Sequence, residues 1–127
     1  MLTPVSFSED IHFRHLRDEK NHPYATVASR FVDGILFYGV AVCNDVDNFD
    51  RSKGREVAEY RLNHAFNDRN NTHVTSRERL ENETSTTFRL HGCVYNLNRP
   101  NDVWFSVDRE DRSRPVSVTL NLRNDVQ

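Results

Sequence analysis

Residues 24–66 read YATVASRFVDGILFYGVAVCNDVDNFDRSKGREVAEYRLNHAF: two apolar runs joined by Asp33-Gly34, a polar connection, and an arginine-rich helix. Asp-Gly between apolar runs signals a β-hairpin, because a type I′ turn needs positive φ at both central residues. Residues 24–31 form the outgoing strand and 35–43 the return strand. The return strand is almost continuously apolar, which places it centrally in its sheet. Gly39 inside it marks a bulge or a close backbone approach. Asp50 is the natural N-cap of the helix that follows. Gly54, Val57, Ala58, Leu62 and Ala65 recur there at helical spacing and make one narrow stripe. Such small residues let a helix lie close on a sheet, which accounts for a helical glycine that otherwise costs about 1 kcal/mol.

Upstream of the hairpin, residues 1–23 read MLTPVSFSEDIHFRHLRDEKNHP. Ser8, Glu9 and Asp10 fit the start of a short helix carrying Ile11 and Leu16, whereas the Ile11/Phe13 alternation fits an edge strand. Both readings stand on sequence. Downstream, residues 67–74 read as a loop, and Thr75-Ser76-Arg77-Glu78 fits a capping box for a short helix to about residue 83. Residues 86–97 read as a strand with Phe88, Leu90, Gly92 and Val94 on one face, and Thr87, Arg89, His91, Cys93 and Tyr95 on the other. A turn at 98–102, a short strand at 103–107, a charged loop at 108–114 and an alternating strand at 116–122 complete the chain. The expected architecture is a single α+β domain over residues 1–127. It has an antiparallel sheet of about five strands (β-hairpin, helix, short helix, three strands) with its helices on one face.

The 127 residues carry a net charge of −2, and the mean hydropathy is −0.76. A polar chain with a modest core gains burial by self-association, so a homodimer or larger assembly is expected. Eight Phe, four Tyr and one Trp argue against disorder. The charge balance lacks the basic surplus of a free-standing duplex-binding domain, so any anion site is a local cluster. No segment has the length and apolarity of a membrane span or an export signal, which points to a cytoplasmic protein. Cys43 and Cys93 read as buried thiols of a reducing compartment, with a disulfide or metal pair as the alternative.

Catalytic signatures are missing. The chain holds no Gly-x-Ser-x-Gly, neither cysteine has a flanking catalytic pattern, and four glycines build no phosphate loop. The His12-x-x-His15 pair lacks a third metal ligand at zinc spacing. A non-enzymatic role without metal or cofactor is therefore expected, and binding chemistry remains. Arg51 and Lys53 stand in the first helical turn, with Arg55 just after, where the helix dipole disfavours cations. Either these face an anion, or they form a solvated basic face balanced by Glu56, Glu59 and the preceding aspartates. Phe88, Arg89, Tyr95, Asn98 and Trp104 fall on neighbouring expected strands, where arginine forks bind phosphate and aromatic faces stack on bases. The candidate ligand-contacting residues are Arg51, Lys53, Arg55, Arg61, Phe88, Arg89, Asn98, Trp104, Arg112 and Arg114.

Two resemblances enter at the hairpin and helix. The run SKGREVAEYRL after a hairpin resembles the second half of a double-stranded-RNA-binding domain, with Ser52, Lys53 and Ala58 at matching positions. Gly54 and Glu56 depart from that family's lysine- and alanine-rich pattern. The longer run GVAVCNDVDNFDRSKGREVAEYRL resembles small phage proteins of the Thoeris-countering sponge type. The matching positions are Gly39, Cys43, Asp47, Phe49, Gly54, Arg55, Ala58, Arg61 and Leu62. The second resemblance implies a phage anti-defence protein that sequesters a cyclic-ADP-ribose-type signal at subunit interfaces without cleaving it. Its partners would be a small nucleotide and further copies of itself. The alternative is a module that inhibits a host defence protein, or binds nucleic acid, through the arginine-rich helix.

Overall fold

The computed structural model describes residues 10–18, 20–43, 49–68, 74–76, 90–95, 97, 103–108 and 117–122. Its elements are β1 (His12–Arg17), β2 (Pro23–Val32), β3 (Ile35–Val42), α1 (Arg51–Asn67), β4 (Val74–Ser76), β5 (His91–Tyr95), β6 (Val103–Asp108) and β7 (Ser117–Leu122). The fold is α+β. Four strands pair antiparallel in the order β1-β2-β3-β5, β4 adds to β5 in parallel, and β6-β7 form a separate antiparallel ribbon.

The central hairpin forms as its turn chemistry dictates. Asp33 and Gly34 both hold positive φ, 52° and 79°, and Val32 pairs with Ile35 across the turn. β1 settles the alternative at the N-terminal side in favour of an edge strand. Its turn into β2 is built by Asp18, whose carboxylate accepts from the backbone N–H groups of Lys20 and His22 at 2.9 Å each. Asn21 supplies the left-handed residue there, with φ 64°.

The sheet is buried on both faces. One face carries Ala28, Phe37, Ala41 and Cys93 against Ala58, Leu62 and Ala65 of α1. The other carries Ala25, Val27, Phe31, Leu36, Tyr38, Val40 and Val94 against Val103 and Val107 of the ribbon. The near-continuous apolar run of β3 has this origin: every residue from Leu36 to Ala41 is buried. Of the three strands expected in the last third, β5 joins the main sheet. β6 instead packs Val103 and Val107 on its second face, which is as apolar as the first, and β7 pairs with β6. Helix and sheet come into backbone contact at Gly39, where a Cβ would overlap the Ala58 carbonyl oxygen and the Leu62 amide nitrogen. The glycine in β3 is therefore a close-approach residue.

The expected short helix at 75–83 is corrected at its start. Thr75 and Ser76 lie in β4, paired with Val94 and Tyr95. Inter-strand pairing claims the backbone that a local capping pattern would have turned into helix. Residues 77–83, 86–89 and 109–116 lie outside the described residues.

Candidate anion site at the start of the helix

The first turn of α1 sits over the β1–β2 edge of the sheet. Asp50 caps it: the side chain accepts from the Lys53 backbone N–H at 3.1 Å, and the residue has the extended backbone of an N-cap. The first turn contains no acidic residue. Arg51, Lys53 and Arg55 are all exposed. Gly54 lies directly above Thr26, so that a Cβ there would stand 2.6 Å from the Thr26 hydroxyl. The glycine inside the helix thus lets its first turn settle onto a strand side chain. Thr26 itself is fully buried.

Under this turn lies a histidine that sequence reading left unassigned. His15 Nδ1 and Thr26 Oγ1 share a hydrogen bond of 3.0 Å, and Phe49 packs edge-on to the imidazole at 5.4 Å between centroids. Nε2 of His15 is buried and has no hydrogen-bond partner among the described residues. Burial lowers the His15 pKa from its ordinary value, and the charges of Arg51, Arg55 and Arg17 lower it further. Two residues away on β1, the Phe13 ring lies 5.4 Å from the guanidinium carbon of Arg55. Arg17 donates to the Asn21 carbonyl at 2.9 Å, which ties it to the β1–β2 turn. The helix start thus sets Arg55 over the Phe13 ring and Phe49 against the His15 imidazole, and the charges of Arg51, Arg55 and Arg17 oppose protonation of that imidazole.

The other sequence-level candidates fall elsewhere. Arg61 is half-buried and donates to the Val40 carbonyl at 2.6 Å, fastening the middle of α1 to β3. Burial lowers its pKa. Trp104 is 59% exposed on the ribbon, where Val103 and Val107 of the same strand are buried against the sheet face opposite α1. It does not meet Tyr95, which packs with the helix-side cluster. The pocket expected from adjacent strands is not assembled between these two residues. Phe88, Arg89, Asn98, Arg112 and Arg114 lie outside the described residues.

Sequence reading missed Phe13, His15 and Arg17, whose signal was the alternation Ile11/Phe13 of a strand. It also missed Thr26, which nothing in the sequence distinguishes from any strand threonine. Among the described residues no group of three or more His, Cys, Asp or Glu side chains could hold a metal ion, and no disulfide joins Cys43 and Cys93. No helix of the described residues is long and apolar enough to cross a membrane.

The arrangement is suited to holding a polyanion by charge and by guanidinium forks. The Asp50 side chain already serves the Lys53 amide, so an anion here is held by side chains more than by the free amides of the helix end. Comparison of the chain with protein-family models, with curated proteins and with solved structures finds no match.

Proposed function

We propose that this chain is a non-enzymatic binding protein that sequesters a small phosphate-bearing nucleotide, with the helix-start arginines as its anion contacts. On this reading it is a phage anti-defence sponge for a cyclic nucleotide immune signal, working as a homo-oligomer in the host cytoplasm. The observation that carries the proposal is a helix start with no acidic residue in its first turn, where exposed Arg51, Lys53 and Arg55 stand over the His15–Thr26 pair and the buried Nε2 of His15 has no partner among the described residues. Cations at a helix start are unfavourable in the empty protein and favourable once an anion neutralises them. Phe13 and Phe49 beside them supply faces and edges for a base or ribose.

A second reading follows from Tyr60, which is 73% exposed on α1. Exposed tyrosine and arginine on one helix are favoured anchors for a protein partner, so α1 would then occupy a host effector. Thermal shift against cyclic ADP-ribose isomers and cyclic oligonucleotides separates the two. The sponge reading expects a gain of several degrees with one of them, and recovery of the ligand intact after denaturation. No shift with any nucleotide, together with a pull-down partner lost on Tyr60→Ala, supports the second reading. Recovery of a cleaved nucleotide overturns both in favour of an enzyme.

A further inference from the structure

The arginine cluster has an unspent member. His15 is seated by Thr26 from β2 and by Phe49 at the entry to α1, and the charges that bear on it among the described residues are all positive: Arg17 on its own strand, Arg51 and Arg55 on the helix. Its Nε2 is buried with unused hydrogen-bonding capacity. Resting on the anion-site reading above, we infer that His15 is a conditional fourth cation of the site, which takes up a proton when an anion binds and so strengthens the binding.

The physical argument is one of linkage. In the empty protein, two influences oppose protonation of the imidazole: loss of solvent and repulsion from the charges of Arg51, Arg55 and Arg17. An anion among the guanidiniums cancels the second influence and leaves the first in place. The imidazole is then easier to protonate. The Thr26 hydroxyl accepts from the protonated Nδ1 without moving, because a hydroxyl has acceptor capacity to spare. The Nε2 donor gains a nearby negative charge. A group whose pKa is higher in the complex than in the free protein makes binding tighter as pH falls. Ligands that keep their charge in weak acid are favoured over those that lose it there. The site therefore selects for phosphodiesters and doubly esterified pyrophosphates, which hold one negative charge per phosphorus without titrating between about pH 5 and 8, over groups with a terminal phosphate, which protonate near pH 6.

Inorganic sulfate is the probe, since it stays dianionic across that range. The His15 imidazole is titrated by proton NMR in sodium sulfate and in sodium chloride of equal ionic strength. The expected result is a higher His15 midpoint in sulfate, with sulfate bound about threefold or more tightly at pH 5 than at pH 8. His15→Gln should abolish that rise of affinity. If sulfate moves the side-chain resonances of Arg51 and Arg55 but leaves the His15 midpoint unchanged, the inference is overturned and the anion site stands. If sulfate moves neither, both the inference and the anion site fall. The titration of the wild-type chain decides the matter even if His15→Gln does not fold.

Discussion

Thr26 Oγ1 lies 3.0 Å from His15 Nδ1, under Gly54, the fourth residue of the helix. This contact joins the edge strand, the central hairpin and the helix start at one point. The neighbouring strands β1 and β2 supply the two partners, and Gly54 of the helix leaves the space they need.

Filling that space or removing the hydrogen bond has a defined cost. Gly54→Ala places a methyl 2.6 Å from the Thr26 hydroxyl, so the helix start must lift or Thr26 must turn away. The ordinary gain of about 1 kcal/mol for replacing a helical glycine with alanine is therefore cancelled or reversed. Chemical denaturation of Gly54→Ala should show no stabilisation. A gain of the full helix-propensity amount would mean that the first turn does not rest on Thr26.

Gly39→Ala is the more damaging change. Its Cβ meets backbone atoms of Ala58 and Leu62, which cannot rotate aside. A loss of about 2–4 kcal/mol is expected, at the upper end of overpacking effects. The same substitution at Gly34, where a Cβ would meet the Leu97 carbonyl oxygen at an ordinary 3.7 Å and the cost is a positive φ of 79°, should cost about 1–2 kcal/mol. Urea denaturation of the two variants gives the ranking directly.

Acid should destabilise the fold through His15. Its folded-state pKa lies below the unfolded value of 6.5, so the unfolded chain binds more protons in the interval between the two. Stability is fully present above about pH 6.5 and falls as pH drops through that interval. His15→Gln should flatten this part of the pH profile of the melting temperature. An unchanged profile would place the acid sensitivity elsewhere.

Charge at the helix start should separate folding from binding. Lys53→Glu sets a carboxylate three residues after the Asp50 cap, where it favours both the dipole and a capping box. The melting temperature is expected to rise by about 1–3 °C while nucleotide binding weakens. A variant that lost stability and kept full binding would contradict the view that these cations serve a ligand.

Arg61 is expected to behave differently from Arg51. It donates at 2.6 Å to the Val40 carbonyl. Truncation to alanine leaves that carbonyl without its guanidinium and should cost about 1–2 kcal/mol in denaturation experiments.

The central hairpin, the Asp50 cap and the buried stripe of the helix were legible because each rests on local chemistry. Asp33-Gly34 demanded positive φ, and Ala58, Leu62 and Ala65 recur at helical spacing and are all fully buried. The destination of β6 and β7 was not legible. Alternation shows that a strand has one buried face, but not which sheet that face covers. β4 was masked by a capping pattern at Thr75, a local signal that strand pairing overrode. On the site, the sequence pointed to Arg51, Lys53 and Arg55 through their conflict with the dipole. It could not supply His15 and Thr26, since only the β1–β2 register, which sets His15 opposite Thr26, brings them beneath the helix.

The most direct test of the account is a map of amide chemical-shift changes on adding cyclic ADP-ribose isomers to isotope-labelled protein. The account predicts that the ligand that binds perturbs residues 13–17, 26 and 49–55 together, and leaves Trp104 on the opposite ribbon unmoved. Saturable perturbation centred on Trp104, with the helix start silent, would contradict it.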